Sequence, residues 1–184
     1  MKVAIIGGIG SGKSEVSKII ESFGNLVISA DKVYAEISET SEYLDLLNVT
    51  FPGSVKDGKM DREFLGKLVF NNKEELQKLN AIAHPLVMKK IEELSKDKDV
   101  VYIEVPVFIG TEFENYFDKV ILVESEIKFR ISRIIKRSGY DKEYAKKIIA
   151  MQPSDEELEK FADVIVKNNK DLTYLKQQLI KVLA

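Results

Sequence analysis

The sequence predicts an α/β fold in which a parallel sheet of about five strands is covered by helices on both faces. Short β-branched and apolar runs alternate along the chain with segments whose apolar residues recur at helical spacing. Such alternation is typical of parallel sheets, whose strands are buried on both faces. The 184 residues are 45% hydrophobic and 32% charged, which suits one folded domain with a buried core.

The first part of the chain predicts two strands, two helices and a loop. Lys2–Ile6 is a β-branched run that ends in glycines and predicts a buried strand. Lys13–Phe23 has apolar residues at helical spacing and is followed by a glycine, a common helix stop. Leu26–Ser29 predicts a second strand, and a helix is expected to begin near Asp31. The Pro- and Gly-containing stretch Phe51–Asp61 predicts a loop.

The rest of the chain continues the alternation. Two helical patterns, Asp61–Phe70 and Lys73–Lys96, come first, and the second is expected to be interrupted at His84-Pro85. Three helices are predicted at Glu126–Arg137, Asp141–Met151 and Ser154–Phe161. Three strands are predicted at Val100–Val105, Lys119–Val123 and Asp163–Val166. A last helix is marked by Leu172, Leu175, Leu179 and Val182.

Composition excludes several classes of function. The chain has no Cys and one His, so disulfides and thiolate catalysis are excluded and His-based metal clusters are not expected. A net charge of −2 provides no global field that would attract nucleic acid. No apolar run approaches the ~18 residues of a membrane span, and Met1–Gly8 lacks the layout of a signal peptide. We expect a cytoplasmic protein.

A glycine-rich loop between the first strand and the first helix predicts nucleotide binding. Gly7–Ser14 satisfies the pattern G-x-x-x-x-G-K-[ST], in the strand-to-helix context that this pattern requires. Its backbone N–H groups would surround phosphate oxygens, aided by the helix dipole. Lys13 is expected to reach the β- and γ-phosphates, and Ser14 to ligate Mg²⁺. The expected contacts are Gly8, Ile9, Gly10, Ser11, Gly12, Lys13, Ser14 and Glu15.

The loop does not by itself name the reaction. A GTPase should show a D-x-x-G switch, which is absent from the sequence, and Asn169-Lys170-Asp171 has the wrong spacing for a guanine reader. A motor ATPase usually has paired acids after an apolar strand, but here Glu104 is followed by Val105-Pro106. The size and two helical excursions favour a P-loop kinase fold with core 1–60, 99–137 and 162–184. The insert 61–98 is expected to bind the acceptor, and 138–161 to form a lid.

Two acids follow predicted strands, where ligands of open α/β sheets bind. Asp31 comes directly after the second strand and Glu104 ends the third. Such a carboxylate can orient or deprotonate an acceptor hydroxyl, or hold Mg²⁺ directly or through water. Asp31 also suits a helix N-cap, and capping does not exclude catalysis.

Three of the four Arg residues lie within eight positions of one predicted helix, although the chain uses Lys elsewhere. Arg130, Arg133 and Arg137 share one helical stripe. Arg137, beside the hinge Ser138-Gly139, is favoured as a phosphate-contacting residue. Arg133 is a second candidate, whereas Arg130 fits an ordinary surface position.

The predicted lid contains two further features. Ser154-Asp155-Glu156-Glu157 is a capping box that begins the second lid helix. Gln152 lies at the break between the lid helices, where a polar side chain can face the cleft.

Taken together, these motifs resemble the dephospho-CoA kinase family over essentially the whole chain. The matching segments, in order, are Gly7–Ser14, Ile28–Asp31, Ala83–Leu86, Val105–Phe108, Arg133 with Arg137, Ile149–Gln152, Ala162–Ile165 and Asn168-Asn169. The resemblance implies ATP-dependent phosphorylation of the ribose 3′-hydroxyl of dephospho-CoA, the last step of coenzyme A biosynthesis. We expect a monomer or small homo-oligomer, and the charge and the lengths of the apolar runs favour neither nucleic-acid nor membrane partners.

The resemblance also implies roles for individual residues. Asp31 matches the acid near the acceptor hydroxyl, and Arg137 matches an arginine at the base of the lid. The catalytic set is then Lys13, Asp31 and Arg137. With the candidates from the residues themselves, nucleotide contacts extend to Arg133 and Asn169, acceptor contacts to His84 and Pro106, and metal ligation to Ser14 and Glu104. His84-Pro85 also fits a simple helix junction, and that alternative stays open.

Four positions depart from the family pattern. Ser29 replaces a common Asp, Gly110 a common Glu, Leu158 a frequent lid Arg and Lys170 a frequent Gly. The phosphate loop and Asp31 are intact, which favours an active kinase. Two alternatives stay open at this point: a nucleoside monophosphate kinase and a regulatory module that binds ATP without turnover.

Overall fold

The computed structural model describes residues 1–70, 72–107 and 115–183. Gly110 and Phe108 lie outside these ranges. The first elements in chain order are β1 (Lys2–Ile6), α1 (Lys13–Ser22), β2 (Leu26–Ser29), α2 (Ala30–Ile37), α3 (Ser41–Thr50), β3 (Val55–Lys56), β4 (Lys59–Met60), α4 (Arg62–Val69) and α5 (Lys73–Ser95). The remaining elements are β5 (Val101–Glu104), β6 (Lys119–Glu124), α6 (Ile127–Ser138), α7 (Lys142–Ala150), α8 (Asp155–Glu159), β7 (Val164–Lys167) and α9 (Leu172–Leu183).

The chain divides into two compact units. Unit 1 contains Met1–Ser29 together with the chain from Lys98 onward, and unit 2 is Ala30–Asp97. The expected division into core, insert 61–98 and lid 138–161 stays a prediction.

Unit 1 is built on a parallel sheet in the order β2-β5-β1-β6-β7. All five predicted strands are confirmed to within one residue at each end. Helices cover both faces of the sheet, as the alternation of apolar runs predicts. The register places Glu104 opposite both Ile5 and Ser29, so the carboxyl ends of β5, β1 and β2 lie at one edge of the sheet.

The core of unit 1 lies where β1, β5 and β6 meet α1 and α9. Side chains from these elements, among them Val3, Ile5, Ile20, Tyr102 and Leu179, form one buried apolar cluster. Burial of this kind is the main stabilising contribution in a domain of this size, about 25 cal/mol for each Å² of apolar surface removed from water. The cluster therefore fixes β1 and α1, the two elements between which the glycine-rich loop is held.

Unit 2 consists of helices α2 to α5 and a two-stranded antiparallel hairpin of β3 and β4. The hairpin and α3 were not predicted from the sequence. Helix α5 contacts α2, α3 and α4, and it buries Ala83, Val87 and Ile91, which are spaced four residues apart on one face.

The interruption expected at His84-Pro85 is wrong. Helix α5 runs without a break from Lys73 to Ser95 and includes Pro85. Proline removes one backbone hydrogen bond from a helix. The apolar face on either side of Pro85 is buried against three neighbouring helices, and this packing offsets the lost bond.

Within the residues that the structure describes, no helix is both long and apolar enough to cross a membrane.

Candidate active site

The glycine-rich loop joins β1 to α1, as the sequence predicts, and α1 begins directly at Lys13. Gly12 is the N-cap residue with φ 103°, and Gly10 has φ 76°. Side chains rarely tolerate these values. At Gly10 a Cβ would also approach the main-chain oxygen of Arg130 to 2.7 Å, so only glycine allows the loop to lie this close to α6.

Lys13 turns back over the loop. Its ammonium group donates a hydrogen bond to the carbonyl oxygen of Gly7 at 2.6 Å. This contact places a positive charge beside the loop whose N–H groups are suited to hold phosphate oxygens.

Ser14 and Glu104, the two predicted metal ligands, are brought together. The hydroxyl of Ser14 donates to Oε1 of Glu104 at 2.9 Å, and the hydroxyl of Ser17 donates to Oε2 at 2.8 Å. Ser17 was not identified from the sequence, although its position three residues after Ser14 places it on the same face of α1. A hydroxyl and a carboxylate side by side at the phosphate loop are hard oxygen donors, which suit Mg²⁺.

Arg133 forms hydrogen bonds with the backbone of the glycine-rich loop. Its guanidinium donates to the carbonyl oxygens of Gly10 at 3.0 Å and Ser11 at 3.2 Å, and to the carbonyl oxygen of Asn168 at 2.7 Å. Burial lowers the pKa of Arg133 from its ordinary value, and the carboxylate of Glu15 opposes that shift. These contacts assign Arg133 a positioning role, and its contact with nucleotide stays a prediction.

The segment after β7 completes this support. Asn168 donates from Nδ2 to the carbonyl oxygen of Ser11 at 3.0 Å. The side-chain oxygen of Asn169 accepts from the hydroxyl of Ser125 and from the backbone N–H of Glu126, at 3.1 and 2.8 Å. Asn169 thus fixes the start of α6, and its predicted nucleotide contact is untested.

Lys170, which departs from the glycine frequent in the family, lies over the ring of Tyr174, with its Nζ 4.3 Å from the ring centroid.

The surface position expected for Arg130 is wrong. Its side chain is only 4% exposed. Nε donates to the carbonyl oxygen of Ile9 at 3.0 Å and one terminal nitrogen contacts Asp155 at 3.3 Å, while the other has no partner among the described residues. The sequence places Arg130 and Arg133 on one stripe of α6, but it does not show that this stripe faces the loop.

Arg137 lies in the last turn of α6, before the left-handed Gly139 that ends the helix. Its side chain is exposed. The expected hinge at Ser138-Gly139 therefore coincides with the end of α6, and the phosphate contact predicted for Arg137 is untested.

The segment α7–α8 contacts the loop through Gln152, whose Oε1 accepts a hydrogen bond from the backbone N–H of Ile9 at 2.6 Å. The predicted capping box at the start of α8 is present, with reciprocal bonds between Ser154 and Glu157.

A cleft of about 150 Å³ lies between the glycine-rich loop and the segment α7–α8. Pro106, a predicted acceptor contact, lines it, as does Leu158, the departure from the lid arginine.

Two further acids, Glu124 and Glu159, interact with each other and with Asp155, the ion-pair partner of Arg130. Glu124 ends β6, while Asp155 and Glu159 lie on α8. Burial, a hydrogen bond with Glu159 and repulsion from Asp155 raise the pKa of Glu124 above its ordinary value. Burial also raises the pKa of Asp155, against the opposing charge of Arg130.

The remaining predicted residues belong to unit 2. Asp31 lies in the first turn of α2 and is exposed, and His84 lies half-buried within α5. Unit 2 also presents exposed apolar side chains at Phe64, Phe70 and Leu76. The acceptor roles of Asp31 and His84 stay predictions.

A glycine-rich strand-to-helix loop at the carboxyl edge of a five-stranded parallel sheet defines a P-loop kinase fold. Solved structures agree with this class. A shikimate kinase from Acinetobacter baumannii aligns over 99% of this chain and 92% of its own, with TM-score 0.61 and 13% identity, which shows a similar fold.

The family model for dephospho-CoA kinase (CoaE) matches residues 1–173. The dephospho-CoA kinase of Fusobacterium nucleatum is 39% identical over 176 residues, covering 94% of this chain and 91% of the relative. That of Thermus thermophilus is 34% identical over 184 residues, covering 99% and 90%. The structure of the Campylobacter jejuni dephospho-CoA kinase is 32% identical, with TM-score 0.60 over 99% of this chain and 95% of its own. The chain belongs to the dephospho-CoA kinase family.

Proposed function

We propose that this protein transfers the γ-phosphoryl group of ATP to the ribose 3′-hydroxyl of dephospho-CoA, giving CoA and ADP. The observation that carries the proposal is membership of the dephospho-CoA kinase family across residues 1–173. The intact phosphate loop, with Lys13 folded over it, supports an active enzyme.

The chemistry requires an in-line transfer between two oxygens. The acceptor oxygen forms a bond to the γ-phosphorus, the bond from that phosphorus to the β–γ bridging oxygen breaks, and ADP leaves. The Lys13 ammonium and the loop N–H groups other than those of Ile9 and Ser11, which donate to Gln152 and to Gly8, stabilise the negative charge on the phosphates. Arg133 and Asn168 hold the carbonyl oxygens of the loop, which keeps its N–H groups directed at the phosphates.

The acceptor hydroxyl must lose a proton. Asp31 is the proposed general base, and its carboxylate takes that proton as the oxygen attacks. Arg137 is proposed to contact the phosphates of ATP through its planar guanidinium, which the exposed end of α6 leaves accessible.

Mg²⁺ would be held by the Ser14 hydroxyl and, directly or through water, by the Glu104 carboxylate, whose oxygens lie 2.9 Å apart. The ion supplies positive charge that neutralises the β- and γ-phosphates. In the described part of the chain no three acidic, His or Cys side chains group together as metal ligands, so its other ligands would be nucleotide oxygens and water.

Unit 2 is the proposed acceptor-binding unit. Its exposed Phe64, Phe70 and Leu76 suit the pantetheine arm, which a nucleoside monophosphate lacks. We place the reaction in the cytoplasm, because both proposed substrates are phosphorylated metabolites.

The test is ADP release measured with ATP and one acceptor at a time, at equal concentration. Dephospho-CoA should support turnover, and AMP, CMP, UMP and dTMP should give negligible rates. Faster turnover with any monophosphate would assign the protein to nucleoside monophosphate kinases. ATP binding without ADP release on any acceptor would indicate a regulatory module.

A further inference from the structure

Both backbone polar groups of Ile9, its N–H and its carbonyl oxygen, form hydrogen bonds with side chains. Its N–H donates to Gln152 Oε1 at 2.6 Å, and its carbonyl oxygen accepts from Arg130 Nε at 3.0 Å. The Ile9 side chain packs on the apolar cluster of Ile131, Ile134 and Ala145. Because Ile9 is held in this way, the carboxamide of Gln152 has a fixed place relative to the phosphate loop.

The hydrogen bond to Ile9 also fixes which way the carboxamide points. A backbone N–H can only donate, so the atom facing it must be the oxygen of Gln152, and the amide nitrogen is directed away from it. Among the described residues, the Gln152 side chain forms one hydrogen bond, the one that Oε1 accepts from Ile9, and Nε2 forms none. Two N–H donors are thus available on a side chain whose orientation is already determined.

The surroundings of Gln152 indicate which kind of acceptor suits these N–H donors. Gln152 lines the cleft beside Gly7 and Gly8, and within the lining that the structure describes it is the only polar side chain. The other side chains there are apolar, including Val105, Pro106 and Leu158. An amide donor in such surroundings forms a strong hydrogen bond with an anionic oxygen and loses free energy without one.

The place of Gln152 along the glycine-rich loop indicates which phosphate group of ATP it would contact. In loops of this pattern the backbone N–H groups at the N-terminus of the helix hold the α- and β-phosphates, and the cleft lies at the opposite, β1 end of the loop. We infer that Gln152 donates from Nε2 to an oxygen of the γ-phosphoryl group as it is transferred. The identity of the acceptor in this inference rests on the proposed function. The contact between Gln152 and ATP does not depend on it.

The decisive comparison is Gln152→Glu against Gln152→Ala. Glutamate keeps an oxygen that accepts from the Ile9 N–H but has no N–H to donate, whereas alanine removes both functions. If Gln152 contacts the γ-phosphoryl group, Gln152→Glu should lower kcat with dephospho-CoA about 100-fold and more than Gln152→Ala does. If Gln152 only fastens Ile9, Gln152→Glu should keep kcat within about threefold of the unmodified protein and exceed Gln152→Ala, and the inference is overturned.

Nucleotide affinity gives a second readout that needs no acceptor. Both variants should bind Mg-ATP about tenfold more weakly while ADP affinity stays within about twofold, because only ATP has the γ-phosphate. Equal changes for ATP and ADP, or no change in either, contradict the contact. Exposed Gln177→Glu on α9 controls for the change in net charge, Gln152→Ala tests loss of the donor without an added charge, and unaltered ADP binding shows that the loop is folded in each variant.

The two proposals fail in different ways. An unmodified protein that turns over dephospho-CoA, with variants equal to it, overturns the role of Gln152 alone. An unmodified protein inactive on dephospho-CoA overturns the proposed function, and the comparison of ATP with ADP then still decides the contact.

Discussion

Arg130 and Asp155 form an ion pair at 3.3 Å that joins α6 to the first turn of α8. Because Arg130 also donates to the carbonyl oxygen of Ile9, one buried guanidinium connects the phosphate loop with the segment that contains Gln152. Because Arg130 is buried whereas Asp155 is partly exposed, loss of Asp155 would leave the Arg130 charge buried without its partner, which destabilises the fold. The pair therefore ties the position of α8 to that of the loop.

The acids around this pair predict a pH-dependent stability. The pKa values of Glu124 and Asp155 are raised in the folded protein, so the folded state binds more protons than the unfolded state above the ordinary carboxyl pKa. Stability should therefore fall as pH rises from about 4 through these raised values. Glu124→Gln should flatten that slope and raise Tm at pH 7, measured by thermal unfolding from pH 4 to 8. Exposed Glu21→Gln is the control, and an unchanged slope in Glu124→Gln would contradict the burial argument.

Lys13→Ala should lower kcat by about 10³-fold, because it removes a positive charge that stabilises the transferring phosphoryl group. The measurement is ADP release at saturating ATP and dephospho-CoA. Lys18→Ala, an exposed position on the same helix, should have no effect. A near-normal rate for Lys13→Ala would show that the loop is not the catalytic phosphate site.

Asp31 lies in the first turn of α2 and not at its N-cap, and Asp31→Asn separates catalysis from a structural role there, because asparagine keeps the shape of aspartate but carries no charge. A general base contributes about 10²–10⁴-fold, so kcat should fall by that order while Tm changes little. Asp45→Asn, exposed on α3, is the matched control. Normal turnover with a lowered Tm would make Asp31 a structural residue of the first turn of α2.

Arg137→Lys keeps the charge but loses the planar fork, and we expect ATP affinity and turnover to fall about tenfold. Lys142→Ala, exposed at the start of α7, serves for comparison. If both variants behave alike and close to the unmodified protein, Arg137 is an ordinary solvated side chain.

The sheet and the loop could be predicted because their causes are local. Strands buried on both faces must be continuous apolar runs, and the loop pattern is readable within eight residues, Gly7–Ser14. Helix α5 could not be predicted as continuous, because what offsets the lost bond at Pro85 is packing against helices distant in sequence.

The contacts that arrange the site depend on distant residues. The bond from Ile9 to Gln152 spans 143 positions, and that from Arg130 to Ile9 spans 121. The sequence indicated that Gln152 lies at a break between helices, but only the fold shows its partner. The clustering of Arg in a Lys-rich chain was a signal for Arg130, although helical spacing alone placed it on the surface.

The most direct test of the central claim is the identity of the product. ATP and dephospho-CoA are incubated with the protein, and the product is analysed by mass spectrometry and phosphorus NMR. The account predicts that the acceptor gains one phosphoryl group, as a monoester on the ribose 3′-oxygen, with one ADP formed for each CoA. ADP release without any mass gain of the acceptor, or a phosphate attached at another position, would contradict it.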